Sequence, residues 1–237
     1  MLSAENTSPA IRDAGLTTAV VSFGSIEQHG PHLPIGTDWM VAQAVARSLA
    51  EELGALLLPT MPFGNAREHM TYAGTVTLRP STLAAVLEDI IDSLRAHGIR
   101  RVVVVSTHGG NWILKPTLRE INYRYPDVHL VWADGRIPAE DAPPPEDIHA
   151  GEHETSTMLH LRPDLVQGHG EEVDAPGRVG QEFLDYAGME RWHPAGVWGR
   201  PSRASGEAGR DRLEERVRAQ VAYVRWAFRT LGEPDGR

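Results

Sequence analysis

A run of four consecutive valines between Arg101 and Ser106 constrains the fold of this chain more than any other feature. Such a β-branched run without polar alternation is typical of a strand that is buried on both faces, as in a parallel sheet. The segment before it, 81–97, has apolar residues at helical spacing, with Ser81 as the predicted N-cap and Gly98 as the predicted end. The run therefore predicts an α/β protein.

The same alternation of strand and helix patterns continues along most of the chain. The predicted elements are strands at 17–23, 56–58, 101–106 and 128–133 and helices at 39–53, 81–97, 114–125 and 210–231. This order predicts a mostly parallel sheet that is covered by helices on both faces. Residues 139–147 are interpreted as a surface loop, and residues 164–206 are irregular. We expect a single domain over residues 1–237.

Composition excludes several classes of protein. Hydrophobic residues make up 41% and charged residues 23%, as in ordinary globular proteins, and no apolar run reaches the ~18 residues of a membrane span. A net charge of −9 without a basic cluster argues against a nucleic-acid partner. Because cysteine is absent, a metal ion must be held by His, Asp, Glu or water. The first ten residues lack a secretory pattern, so a cytoplasmic location is expected.

The segment directly after the first predicted strand, 24–38, carries Glu27, His29 and Asp38 among glycines and prolines. Loops at the carboxyl ends of strands point into the crevice where α/β proteins bind ligands. Glu27 and His29 are two residues apart, so their side chains emerge on one face of an extended stretch. These residues predict a metal site. The alternative is a solvated loop in which Thr37 or Asp38 only caps the next helix.

Two later segments add histidines and carboxylates. His108 follows the valine strand and precedes two glycines, a weak signal by itself. His149 is followed by Glu152 and Glu154 at the predicted start of another helix. Acidic residues in a first turn are favoured by the helix dipole, and this interpretation suits Glu152 best.

Taken together, the sequence resembles the creatininase (creatinine amidohydrolase) family over most of its length. The matching segments are GSIEQHGPHLPIGTD (24–38), GNAREHMTYAGTVTL (64–78), THGGN (107–111), HAGEHETS (149–156) and GVWGRPSRASGEAG (196–209). The resemblance implies a three-layer α/β/α fold, two divalent metal ions for each subunit (Zn²⁺ or Mn²⁺, with Fe²⁺ also suitable) and a homo-oligomer, in many members a hexamer.

The resemblance also implies roles for individual residues. Glu27, Asp38 and His108 are expected to bind one metal ion. His29, Asp38 and a glutamate are expected to bind the other, so that Asp38 bridges the two. His149 matches the family's proton-transfer residue.

The chain departs from creatininase at Gly109 and Gly110, where that enzyme has Tyr and Glu. Gly110 cannot bind a metal ion, so Glu154 is expected to replace the missing glutamate as a ligand and to join His149 as a catalytic residue. Relatives that share the His-Gly-Gly-Asn form act on formamides or on a precursor peptide. The departure therefore disfavours creatinine as the substrate.

The expected function is hydrolysis of a non-peptide carbon–nitrogen bond, in an amide, a cyclic amide or a formamide, by a hydroxide that bridges two metal ions. One alternative is a metallopeptidase that trims a specific precursor peptide. Another is a non-catalytic metal-binding protein.

Several other residues are open to two interpretations. Glu68 and His69 either line the pocket or form a structural turn, whereas His32 is expected to support its loop. Trp112 and Trp198 stand beside matched motifs and either wall the pocket or pack elsewhere. An oligomer interface is expected in the irregular segment, because it contains aromatic and Met side chains without the periodicity of a core element. These are Phe183, Tyr186, Met189, Trp192 and Trp198.

Overall fold

The computed structural model describes residues 1–134, 147–177 and 180–232. Within them, one four-stranded sheet has the order β2-β1-β3-β4, and every neighbouring pair of strands is parallel. The strands are β1 (Thr18–Phe23), β2 (Leu56–Leu57), β3 (Arg101–Ser106) and β4 (His129–Trp132). Except for its last residue, the loop predicted at 139–147 lies outside the described residues.

Six α-helices accompany the sheet in the described residues. They are α1 (Ser8–Ala14), α2 (Thr37–Leu53), α3 (Pro80–Ala96), α4 (Leu114–Arg124), α5 (Glu152–Leu161) and α6 (Gly206–Thr230). The predicted helices correspond to α2, α3, α4 and α6 within a few residues, whereas α1 was not predicted. No helix among the described residues is long and apolar enough to cross a membrane.

The sheet is buried on both faces, as the valine run predicts. Val103 and Val105 pack on one side with residues of α2, α5 and α6. Val102 and Val104 pack on the other side with residues of α3 and α4. Each fully buried aliphatic side chain stabilises the fold by about 1.5–3 kcal/mol. The expected three-layer α/β/α architecture with a parallel sheet is therefore confirmed.

Two predicted helix starts are wrong. Helix α3 begins at Pro80, with Arg79 rather than Ser81 at the N-cap. Proline suits the first helical position because its φ is already helical and its missing N–H needs no acceptor there. Helix α2 has Gly36 at its N-cap, so neither Thr37 nor Asp38 caps it. The carboxylate of Asp38 is therefore available to the crevice at the end of the sheet.

Candidate metal centre

The carboxyl ends of β1 and β3 bring the first two predicted segments together. Glu27 and His29, in the loop after β1, are completely buried, and Asp38 is buried in the first turn of α2. The hydroxyl of Thr107, just after β3, donates a hydrogen bond to the backbone oxygen of Asp38 at 2.7 Å. This bond holds the segment that carries His108 against the start of α2.

The predicted ligands form two groups that share Asp38. In the first group, His108 Nε2 lies 3.0 Å from Glu27 Oε2, and His108 Nδ1 lies 3.4 Å from Asp38 Oδ2. In the second, His29 Nε2 lies 3.8 Å from Asp38 Oδ1 and 3.7 Å from Glu154 Oε2. Within each group, one ligand atom from each residue lies within 4.8 Å of the others. Each group is compact enough to hold one ion.

The chemistry of these atoms fits divalent cations. Both carboxylate oxygens of Glu27, together with His29 Nε2 and Asp38 Oδ2, are buried without a hydrogen-bond partner among the described residues. Burying unpaired polar and charged atoms is costly, so such a cluster calls for a positive charge at its centre. Imidazole nitrogens and carboxylate oxygens without thiolates suit Zn²⁺, Mn²⁺ or Fe²⁺.

Without a metal ion, two histidines supply that positive charge. Burial lowers the pKa of His29, but the Asp38 and Glu154 carboxylates outweigh burial and raise it to about 10. Burial likewise lowers the pKa of His108, and Glu27, Asp38 and Glu68 together raise it to about 10. Both rings are therefore protonated at neutral pH in the metal-free protein. Burial raises the pKa of the Glu154 carboxyl to about 7.

Metal binding should therefore release protons over the whole neutral range. A metal ion needs the lone pairs of His29 and His108, whose pKa values of about 10 keep them protonated. The sequence alone predicts weaker binding only below about pH 6, the range of an ordinary histidine. Zn²⁺ titration calorimetry in two buffers of different ionisation enthalpy should show about one proton released for each ion at pH ~7.5. Affinity that does not change between about pH 7 and pH 9 would contradict this prediction.

His149 lies beside both groups as a neutral base. Its Nε2 is 2.7 Å from the backbone oxygen of Gln28, which can only accept a hydrogen bond, so Nε2 carries the proton. The lone pair on Nδ1 then faces Glu27 Oε1 at 3.7 Å. Burial, followed by the neighbouring His29, lowers the pKa of His149 well below its usual range. The ring is therefore neutral and presents the Nδ1 lone pair to the centre, where it can take a proton transiently or bind metal together with Glu27 and His29.

A left-handed turn aims Glu154, rather than Glu152, at the centre. Ala150 has a φ of 50°, and it is the one non-glycine residue with positive φ in the described part of the chain. Its backbone N–H donates a 2.6 Å hydrogen bond to Glu154 Oε2. Glu152 instead accepts a 2.6 Å hydrogen bond from Arg212, as suits the structural role expected for it.

Segment 64–78 contributes residues whose roles the sequence left open. His69 is buried, and its Nε2 lies 3.4 Å from Glu27 Oε1. Glu68 Oε1 lies 3.7 Å from His108 Nε2. A Cβ atom built on Gly110 would overlap both the Glu68 carboxylate and the His108 ring. A carboxylate from a different segment thus lies against the position where creatininase has its glutamate.

The other residues singled out in the sequence have different positions. His32 is buried, and its Nε2 contacts the Thr155 hydroxyl at 2.9 Å, which agrees with support of the loop. Trp112 is 58% exposed and lines a cavity of about 380 Å³ that His108 also borders. Trp198 and Met189 are fully buried within the chain, so the expectation that they face another subunit is wrong.

A three-layer α/β/α protein with two such donor groups at the carboxyl edge of its sheet can hold metal ions where α/β proteins bind their ligands. The family model described as creatinine amidohydrolase matches residues 4–224. The chain belongs to the creatininase family. This assignment confirms the predicted enzyme class, a hydrolase of the amidohydrolase type.

Curated relatives include both a peptidase and an amidohydrolase. The chain is 34% identical over 248 residues to a mycofactocin precursor peptide peptidase of Mycobacterium tuberculosis, covering 98% of this chain and 89% of the relative. It is 34% identical over 175 residues to the creatinine amidohydrolase of Pseudomonas putida, and the match covers 65% of this chain and 67% of the relative.

Solved structures agree with this fold. A crystal structure of creatinine amidohydrolase matches with a TM-score of 0.78 and 28% identity, covering 96% of this chain and 98% of that one. A mutant creatininase of Zn-Zn type and a structure described as creatininase Mn each match with a TM-score of 0.77 and 27% identity, and both are covered over 98% of their length. They cover 95% and 96% of this chain, respectively.

Proposed function

We propose that this protein is a dinuclear-metal amidohydrolase that cleaves a non-peptide carbon–nitrogen bond in an amide, a cyclic amide or a formamide. The observation that carries the proposal is the pair of donor groups that share Asp38, with one carboxylate oxygen nearer each group. Glu27 and His108 complete the first group, and His29 and Glu154 complete the second. Zn²⁺ or Mn²⁺ suits both groups.

The metal ions, when bound, lower the pKa of water and polarise a carbonyl oxygen. His149 supplies the proton transfer. Its Nδ1 lone pair can take a proton from the attacking water, while Gln28 holds the opposite nitrogen as a donor. Burial is the main cause of the low pKa of His149, and the neighbouring His29 is the next. Because of this low pKa, the protonated ring readily gives its proton to the leaving nitrogen. One side chain can thus act as the base and then as the acid.

Metal content and a substrate panel test this proposal. We expect about two equivalents of Zn²⁺ or Mn²⁺ for each chain, loss of activity with a chelator and its return when metal is added. The panel should include linear amides, cyclic amides and formamides, with amine, ammonia and formate release as readouts. Full activity in a preparation shown to be metal-free would refute the proposal. Two bound ions without turnover of any compound would favour a non-catalytic role.

A second candidate function is trimming of a precursor peptide. It is supported by the near full-length similarity to the mycofactocin precursor peptide peptidase, which covers 98% of this chain. Adding peptides to the same panel, with product masses as the readout, separates the two candidates. Cleavage of a peptide bond with no turnover of small amides would replace the first candidate by the second.

Replacing Glu154 with glutamine tests the second donor group. The substitution keeps the size of the side chain but removes the charge that faces His29 Nε2 at 3.7 Å. We expect loss of one of the two ions, because only the second group contains Glu154. Metal analysis of the dialysed protein measures this. The control is Glu152→Gln. Glu152 lies in the same helical turn as Glu154, but its carboxylate pairs with Arg212 of α6. Retention of both ions and full activity in Glu154→Gln would contradict the assignment.

The protein is also proposed to form a homo-oligomer through its irregular segment. Phe183 and Tyr186 remain 37% and 79% exposed there, although Met189 and Trp198 do not. Exposed aromatic side chains are enriched at subunit interfaces. Light scattering should give a multiple of the 26.0 kDa chain mass at micromolar concentration. Phe183→Ser combined with Tyr186→Ser should shift the mass toward the monomer. A monomeric mass for the unmodified chain would contradict this prediction.

A further inference from the structure

The side chain of Gln28 is held at both ends, between the proposed ligands Glu27 and His29. Its Oε1 accepts a 2.9 Å hydrogen bond from the backbone N–H of Gly30. Because a backbone N–H can only donate, this bond fixes which end of the amide is oxygen. The amide Nε2 then lies 2.8 Å from His69 Nδ1, 3.2 Å from His149 Nε2 and 3.4 Å from Met189 Sδ. His149 Nε2 donates to the backbone oxygen of Gln28, so His69 Nδ1 is the nitrogen that can accept from the amide.

This orientation determines which nitrogen of His69 carries the proton. The amide nitrogen of Gln28 donates, so His69 Nδ1 must accept. In a neutral imidazole the proton then resides on Nε2, the nitrogen that lies 3.4 Å from Glu27 Oε1. His69 therefore presents an N–H group to Glu27.

We propose that Gln28 is a positioning residue of the metal centre: it fixes His69 with its proton on Nε2, so that an N–H group and not a lone pair faces one oxygen of Glu27, while the other oxygen is left for metal. Glu27 Oε1 faces His69 at 3.4 Å, and Glu27 Oε2 faces His108 at 3.0 Å. The 3.4 Å approach is a polar contact and not a hydrogen bond in this structure. Polar partners of a ligating carboxylate orient it and tune metal affinity. The inference rests on the function proposed above for this site.

The opposite arrangement of His69 would oppose metal binding. With the proton on Nδ1, the Nε2 lone pair would face the Glu27 carboxylate, and two acceptors would repel each other. A glutamate at position 28 would impose this arrangement. Its Oε1 could keep the bond from Gly30, but the second oxygen could only accept from His69 Nδ1. Gln28→Glu therefore preserves the shape, but it adds a negative charge and changes the polarity of the contacts with His69 Nδ1, His149 Nε2 and Met189 Sδ.

Histidine ring ¹⁵N NMR of the metal-free protein tests the first step directly. The His69 signals are assigned as those that disappear in His69→Asn. In the unmodified protein we expect an unprotonated Nδ1 and a protonated Nε2. In Gln28→Glu we expect Nδ1 to become protonated. A protonated Nδ1 on His69 of the unmodified protein would overturn the proposal, even if no Gln28 variant folds.

Metal affinity tests the second step. Zn²⁺ titration should show that Gln28→Glu weakens binding by about 10–100-fold, the usual effect of losing an outer partner. Gln28→Met removes the donor to His69 and the acceptor of the Gly30 N–H without adding a charge, and it should weaken binding less. The matched control is Gln43→Glu, the same chemical change on the exposed face of α2, which should leave affinity unchanged. Unchanged affinity in Gln28→Glu would overturn the proposal. Failure of the unmodified protein to bind Zn²⁺ would instead count against the proposed function, because the NMR result is obtained without metal.

Discussion

Replacing Asp38 with alanine should remove both metal ions and abolish turnover. Asp38 is the one residue of the described chain that belongs to both the Glu27–His108 group and the His29–Glu154 group. Its two oxygens face different histidines, at 3.8 Å from His29 Nε2 and 3.4 Å from His108 Nδ1. Changes to outer partners cost about 10–100-fold in affinity, so loss of a shared ligand should cost more than ~100-fold at each group.

The measurement is metal content after dialysis, together with one assay of activity. Asp92→Ala, which removes an exposed carboxylate from α3, is the control and should retain both ions. Circular dichroism should show that both variants are folded. Asp38 lies at the start of a helix whose core contacts the substitution does not touch, so folding should survive. A folded Asp38→Ala protein that keeps two ions would show that the groups do not share this ligand.

Replacing His149 with alanine should leave both ions in place and lower kcat by about 10²–10⁴, the usual contribution of a general acid and base. The two groups are complete without His149, which lies beside Glu27 at 3.7 Å. Its Nε2–H is bonded to a backbone oxygen, so the other nitrogen faces the centre. Its loss should therefore remove proton transfer rather than metal binding.

Comparison of metal content with kcat separates this role from that of a ligand. His160→Ala, on the exposed face of α5, removes a histidine outside both groups and should change neither quantity. Loss of an ion in His149→Ala would place the ring in the third possible group, with Glu27 and His29. Such a result would assign His149 as a ligand and leave the proton-transfer role without a residue.

Sequence pattern predicts the parts of this fold that are regular and buried. The valines of β3 leave little choice because a short β-branched run suits a strand buried on both faces. The apolar stripe of α3 leaves little choice because it follows the helical period. The sequence misplaces the start of α3 because Ser81 is a residue type that often caps helices, whereas Pro80 already has a helical φ and begins the helix. The burial of Met189 and Trp198 within the chain could not be predicted, because their segment contains short 3₁₀ turns and no regular hydrophobic period.

In the candidate site, too, some residues can be predicted from the sequence and others cannot. Glu27, His29 and Asp38 could be selected because acids and imidazoles near glycines after a strand carry a recognisable chemical signal. His108 is a weak signal by itself, and Glu154 could be selected only through the resemblance to the creatininase family. The roles of Gln28 and His69 depend on a contact across 41 positions of sequence. An amide beside two ligands gives no signal of its own. Only the folded chain reveals that Gln28 reaches past its neighbours to a third segment.

The spread of the donor groups along the chain has a consequence for folding. The ligands lie between residues 27 and 154, and parallel strands with their crossovers separate them. Ligands this far apart cannot form a preformed site in an unfolded chain, so the core of the sheet must assemble before the ions bind. The ions then stabilise the native state, because they bind the folded chain and not the unfolded one. Free metal at a thousand times its dissociation constant would raise the free energy of unfolding by about 4 kcal/mol for each site. It would not speed up folding, because the site forms only after the sheet has folded.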